Sequence, residues 1–143
     1  MQLIERDIPP RAAWALEQAG IHPLLARLFA ARGVRQAEEL ACAHLRRQGL
    51  ATLGKNWTCR RGELDLVMLD GDTVVFVEVR SRRHRAWGGA LESIDARKRQ
   101  RLILSAELFL QQEARWAKRP CRFDVVAIDG MELTWLEAAF DAG

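Results

Sequence analysis

Gly62-Glu63-Leu64-Asp65-Leu66-Val67-Met68-Leu69-Asp70-Gly71-Asp72-Thr73-Val74-Val75-Phe76-Val77-Glu78-Val79-Arg80 is the stretch on which the fold turns. Glu63 to Leu69 alternates, Asp70-Gly71-Asp72 has the composition of a tight turn, and Thr73 to Arg80 is rich in β-branched residues. Two such runs joined by such a turn predict an antiparallel hairpin. Successive side chains on a strand point to opposite faces. Glu63 and Asp65 therefore share a face that Leu64, Leu66 and Met68 do not. On the second strand Phe76, Glu78 and Arg80 lie opposite Val75, Val77 and Val79.

Before the hairpin, Ala12 to Gln18 reads as a short helix stopped by Gly20. Pro23 opens a second helix through Leu24, Leu25, Leu28 and Phe29, closed by Gly33. These two pieces predict a small helical hairpin. A third helix from about Arg35 to Gln48 carries Ala37, Ala41, His44, Leu45 and Gln48 on one side and stops at Gly49, and Thr52 to Arg60 reads as a strand. After the hairpin, Ser81 to Gly89 is basic, contains Gly88-Gly89 and reads as an exposed loop. A long helix is expected from about Ser93 to Trp116, with Leu102, Ala106, Phe109 and Leu110 as its apolar stripe. Arg122 to Ile128 and Leu133 to Leu136 are two further strands around the Asp129-Gly130 turn. The order predicts an α/β layer structure, a mixed central sheet flanked by helices.

The chain has 143 residues, 49% of them hydrophobic, which is enough apolar material for one domain with a real core. The 29% of charged residues carry both signs, and no run of about 18 apolar residues occurs, so long disorder and a membrane-spanning helix are both unexpected. The amino-terminus lacks the pattern of a secretory signal, which predicts a cytoplasmic location. Cys42, Cys59 and Cys121 are odd in number and widely spaced, so they read as reduced core residues and not as a disulfide framework or a metal knuckle.

Glu78 is the anomaly, because a carboxylate between Val77 and Val79 in a central strand loses its hydration and needs a partner. One reading is a buried ion pair with Arg80 or another arginine, without chemistry. The other is a cation shared with Glu63 and Asp65, since like charges crowded on one sheet face are normally kept only around a metal or a shared proton. Carboxylates without His or Cys suit Mg²⁺ or Mn²⁺ better than zinc. At 100° per residue Glu38 falls at the edge of its helix's apolar stripe and Glu39 points to solvent, which makes Glu38 the better fourth candidate.

In these residues the sequence resembles the PD-(D/E)xK nuclease superfamily, with the restriction-endonuclease-like fold, and in detail its YraN-like branch. The matching stretches are Ala37-Glu38-Glu39-Leu40-Ala41 with His44-Leu45 and Gly49, then Asn56-Trp57, Gly62 to Val67, Val75 to Arg80, and Phe123-Asp124-Val125-Val126. The resemblance implies a divalent metal held by the motif carboxylates and hydrolysis of nucleic-acid phosphodiesters, with DNA the favoured substrate. It makes Asp65 the first metal ligand, Glu78 the acid of the E-x-K element, Glu38 the helix acid and Glu63 an auxiliary ligand. Arg80 stands where the superfamily pattern favours lysine. Arginine stays protonated in proteins, so it can orient groups or stabilise charge but cannot accept a proton. Residues from about Glu5 to Leu40 are similar to the amino-terminal segment of RecJ-type exonucleases. This implies a fusion of residues 1–34 onto a nuclease domain of residues 35–143, with no catalytic role for the segment. His22 reads as a surface or capping residue.

Arg80, Arg82, Arg83, Arg85, Arg97, Lys98, Arg99 and Arg101 make one segment locally positive. Cations at Arg97, Lys98 and Arg99 oppose the dipole of the helix they begin, a penalty that a bound phosphate would reverse. The segment reads as a nucleic-acid-binding rim, with Trp87 available to stack on a base. Three functions are open at this level: a Mg²⁺- or Mn²⁺-dependent nuclease, a nucleic-acid-binding module without turnover, and an interaction protein whose acids form only ion pairs.

Overall fold

Strand β2 (Gly62–Asp70) and strand β3 (Thr73–Arg82) form the expected antiparallel hairpin in a computed structural model that describes residues 23–82, 94–130 and 132–142. Their register runs from Asp70↔Thr73 to Leu66↔Val77, and Gly71 takes a positive φ of 60° in the turn. Strand β1 (Ala51–Cys59) pairs antiparallel with β2 on one side. On the other side, β4 (Cys121–Asp129) pairs parallel with β3, and β5 (Glu132–Phe140) pairs antiparallel with β4. The five strands lie in sequence order, giving a mixed sheet.

A parallel pair cannot be closed by a tight turn, so the chain must cross over between β3 and β4. Within that crossover lies helix α2 (Ala96–Gln112). Its buried side is Leu102, Ser105, Ala106 and Phe109, close to the expected stripe. Phe109 meets Phe76 edge-on at 6.0 Å and Trp57 at 5.4 Å, while Phe123 stacks between Phe76 (5.4 Å) and Phe140 (4.8 Å). This aromatic row, with Leu64, Val67, Val74 and Val125, is the core. The helix is shorter than predicted at both ends. Asp95 caps it by accepting the Lys98 N–H at 2.8 Å, and Glu113 leaves helical geometry before a 3₁₀ turn at Ala114–Trp116.

Helix α1 (Pro23–Arg47) precedes the sheet. Here one expectation is corrected: Gly33 does not close a helix, and Pro23–Arg47 is continuous through it. Glycine inside a helix costs about 1 kcal/mol relative to alanine, and without a left-handed residue or a proline behind it that is not enough to stop the chain. Gly49 does have those features. It sits at φ 100°, its N–H returns to the Arg46 carbonyl at 3.0 Å, and the Leu50 N–H returns to Leu45 at 3.1 Å. The chain divides at Glu39/Leu40 into two units, and Leu40–Gly143 holds the sheet. The expected helix at 12–18, and the part of the expected RecJ resemblance that precedes Pro23, lie outside the described residues.

Other expectations need adjustment. Ser81 and Arg82 belong to β3 and not to a loop, and the remainder of the basic stretch, residues 83–93, lies outside the described residues. Strand β5 has nine residues where Leu133 to Leu136 suggested four, because Ala138 takes a left-handed φ of 50° beside a register shift at Phe123/Val125 and the strand then continues to seat Phe140. Of the three free cysteines only Cys42 is buried; Cys59 is half-buried and Cys121 exposed. Among the described residues no helix is long and apolar enough to cross a membrane.

Candidate metal and nucleic-acid site

The regular β2–β3 pairing ends at Leu66↔Val77, and just beyond it a side chain takes over: Asp65 Oδ2 accepts the backbone N–H of Val79 at 2.9 Å. The alternation that gave Asp65 its face thus also fixes its carboxylate against the neighbouring strand. Glu63, two residues earlier on β2, brings a carboxylate oxygen within 4.8 Å of one from Asp65. Both are half-buried. Two carboxylates at that separation repel unless a cation or a proton lies between them. Glu38 is buried at 7% exposure and Glu39 is exposed, as the helical period expects.

Glu78 is buried at 6% exposure, but it is differently engaged. Its Oε1 lies 3.5 Å from Arg80 Nε and 3.5 Å from Lys98 Nζ, the latter reaching across from the first turn of α2. Its Oε2 is buried and has no hydrogen-bond partner among the described residues. Glu63, Asp65 and Glu78 do not all converge to within 4.8 Å, so two carboxylates are close and the third is held by cations nearby. The ion pair with Arg80, the bland alternative for Glu78, does form. It occupies one oxygen and leaves the other.

Burial is the largest influence on Glu78 and raises its carboxyl above the ordinary glutamate value of 4.5; Lys98 and then Arg80 pull it down, and Glu63 adds a smaller push upward. Desolvation wins over two cations because the side chain lies among Leu64, Phe76, Leu102, Phe123 and Phe140. A carboxyl raised in the folded state favours folding while protonated. That contribution is complete below the unfolded value and is lost as pH rises through the folded one. In chelator, Glu78→Gln should therefore gain on the wild type as pH rises from about 4.5 through the raised value, and hold a constant offset above it. Lys98→Met removes the strongest downward influence and should extend that window upward. Melting temperatures of the three proteins across pH test this, and an offset that does not change with pH would refute it.

Lys98 is the residue whose role the sequence hides. Arg80, on the same strand face as Glu78, is the obvious partner, whereas Lys98 lies on α2, beyond the basic stretch, and reads as one charge of an exposed rim. The structure divides that rim. Arg97 and Arg101 are exposed. Lys98 and Arg99 are half-buried: Lys98 against Glu78, Arg99 donating from Nε to the Ile94 carbonyl at 3.0 Å with its guanidinium 5.6 Å over the Phe140 ring. Arg83, Arg85 and Trp87 lie outside the described residues.

The donor set suits a hard divalent ion. Its groups are oxygens, and two of them, Glu78 Oε2 and Asn56 Oδ1, are buried without a hydrogen-bond partner among the described residues. Orphaned buried acceptors beside crowded carboxylates are what a Mg²⁺- or Mn²⁺-sized cation would satisfy. Asn56 had no individual role in the sequence reading.

Comparison with known proteins points to one family. The model of the uncharacterised protein family UPF0102 matches residues 37–128, a span that contains all the described carboxylates above together with Asn56, Arg80 and Lys98. A UPF0102 protein of Pseudomonas aeruginosa (strain LESB58) is 87% identical over 114 residues, covering 76% of this chain and 91% of the relative. One from Ectopseudomonas mendocina (strain ymp) is 67% identical over 111 residues, covering 76% and 93%. One from Stutzerimonas stutzeri (strain A1501) is 64% identical over 112 residues, with the same coverage.

Proposed function

This chain belongs to the UPF0102 family, and from that premise and the arrangement of its carboxylates we propose that it is a metal-dependent nuclease, an endonuclease of PD-(D/E)xK type that hydrolyses nucleic-acid phosphodiester bonds. DNA is the favoured substrate. The observation that carries this reading is the Glu63–Asp65 pair within 4.8 Å, on the strand paired with the one that carries Glu78, whose Oε2 is buried without a hydrogen-bond partner among the described residues. Asp65, Glu63 and Glu78 would hold Mg²⁺ or Mn²⁺, with Glu38 as the helix acid. When bound, the ion supplies positive charge that polarises a phosphoryl oxygen and acidifies water.

The protein's own groups account for the rest. As water adds to phosphorus and the ester P–O bond breaks, Glu63 or Glu78 takes the proton from the attacking water, because Arg80 cannot, and the departing sugar oxygen takes one from solvent water. Arg80 and Lys98, already aligned on Glu78 Oε1, are fixed positive charges for the phosphoryl oxygens as charge develops. Lys98 thereby supplies an ammonium beside the E-x-R element, where the superfamily pattern has its lysine on the strand. Residues 1–34, with their likeness to the start of RecJ-type exonucleases, take no part in this chemistry.

One observation favours a second reading, a nucleic-acid-binding module without turnover: two cations already compete for Glu78. Digestion of single-stranded, duplex and branched DNA and RNA with Mg²⁺, Mn²⁺ or chelator separates the two. Cleavage only with metal supports the nuclease. Salt-sensitive binding without cleavage supports the module, and no binding at low salt removes both.

The rim has its own test. Arg97→Glu with Arg101→Glu should weaken binding across all sequences and lower the salt slope by about one per lost phosphate contact. Titrations at several salt concentrations would measure it, and an unchanged slope would move the binding face elsewhere.

A further inference from the structure

Asn56 occupies a backbone conformation that its residue type explains only in part. The β1–β2 register runs through Lys55↔Leu66 and Trp57↔Leu64, which sets Asn56 opposite Asp65. Its φ is 49°, in the left-handed region, where a non-glycine residue is strained and asparagine is among the few tolerated. If the chain needed only the backbone turn, glycine would serve at less cost. A carboxamide instead is kept there, and its Oδ1 is buried without a hydrogen-bond partner among the described residues.

That is a double cost, in conformation and in desolvation, and costs of this kind concentrate at functional sites. The carboxylates of Glu63 and Asp65 on the paired strand offer no relief. Asp65 and Glu63 are acceptors when ionised, as the amide oxygen is, so they cannot satisfy it. A hard cation can. A neutral oxygen is also the donor best added to a site that already holds two crowded negative charges, since it contributes coordination without further repulsion.

We infer that Asn56 is a metal ligand, its Oδ1 joining Asp65 across the β1–β2 pair in binding the same divalent cation. The inference rests on the metal-site reading above and adds to it a donor from a different strand. Two paired strands then contribute to one ion, β1 through Asn56 and β2 through Glu63 and Asp65, while Glu78 on β3 stays with Arg80 and Lys98.

The test uses substitutions that separate backbone from side chain. Asn56→Gly keeps the left-handed conformation and deletes the oxygen, whereas Asn56→Asp keeps both the conformation and an oxygen donor. Mn²⁺ affinity of the full chain is measured by calorimetry, with melting temperature in chelator as the control for folding. Asn56→Gly should melt no lower than the wild type yet bind Mn²⁺ at least about tenfold more weakly. Asn56→Asp should bind it as well as the wild type or better. Equal Mn²⁺ affinity in the wild type and Asn56→Gly would overturn the role of Asn56 alone, and so would a loss in Asn56→Asp, which would mean that the amide NH₂ is the working group. A wild type that binds no Mn²⁺ would overturn the metal site as a whole.

Discussion

Asp65→Asn should abolish metal-dependent cleavage and leave the fold standing. The choice of asparagine matters. Asp65 Oδ2 accepts the Val79 N–H at 2.9 Å at the point where the β2–β3 register stops. An asparagine oxygen can still accept that bond, so the strand junction is kept, and what disappears is the negative charge. Asp65→Ala would also strand a backbone donor in a half-buried position, at a cost of about 1–3 kcal/mol, so loss of activity in it would be mixed with loss of stability. With the charge gone, Glu63 faces a neutral amide and the pair no longer attracts a divalent ion. Losing one group that stabilises developing charge typically lowers turnover about 10²–10³-fold, and losing a principal ligand should reach at least that. Single-turnover cleavage in Mg²⁺ and Mn²⁺ measures the effect, and Mn²⁺ calorimetry measures its cause. If Asp65→Asn cleaves at the wild-type rate, the carboxylate pair is not the centre of the chemistry.

Most of what positions this site was legible along the chain, for a definite reason. Period-two patterning is legible where a strand buries one face, as along β3, but β2 departs from it. Leu64 and Val67 both join the core of Phe76 and Phe109 while Leu66 and Met68 do not, so the alternation slips between them, level with the left-handed Asn56 on β1. The turn at Asp70-Gly71-Asp72, the strands on either side and the stripe of α2 follow from local rules, and all are found. What was not legible involves partners far apart in sequence. Lys98 is indistinguishable from Arg97 until α2 is laid on the sheet, because a helix start shows which residues are basic and not which of them reaches a particular carboxylate. Gly33 misleads in the opposite way, since a glycine carries the same letter whether it ends a helix or is carried through one. Asn56 combines both difficulties. Its left-handed backbone belongs to a distorted edge strand, and its orphaned oxygen becomes visible only with the neighbouring strand in place.

Asp124→Ala should cause the largest loss of stability of any substitution considered for this chain. The sequence between Phe123 and Ile128 reads as an apolar strand interrupted by one acid, and Asp124 is completely buried. Nothing about it resembles Glu78, because every acceptor site is answered. Arg122 donates to it through Nε at 3.0 and 3.2 Å and through Nη2 at 3.2 Å, Trp135 through Nε1 at 2.9 Å, and the Ala138 backbone N–H at 2.9 Å. The last bond holds the left-handed kink that lets β5 continue to Phe140. Arg122 extends the network to Asp70 at the end of β2 (2.9 Å) and to Glu137 (3.3 Å). Burial tends to lower the Arg122 pKa, but its bonds to Asp124 and Asp70 prevail and raise it. Arginine stays protonated in proteins even without such help, so Arg122 remains charged whatever replaces Asp124. Alanine at 124 would leave a half-buried guanidinium short of its main partner, a buried indole N–H unpaired and a strained backbone N–H without an acceptor. Breaking a buried pair by removing one member typically costs about 3–5 kcal/mol. In a chain of this size that lowers the melting temperature by on the order of 10 °C. Asp124→Asn should fall between alanine and the wild type: one oxygen still accepts from Ala138 or Trp135, while the new NH₂ faces Arg122, which has no acceptor to offer it. Thermal and urea unfolding of the three proteins gives the ordering. A loss below about 1 kcal/mol for alanine, the range of an exposed ion pair, would mean that the kink and the β4–β5 register are held by the aromatic stack of Phe123 and Phe140 instead.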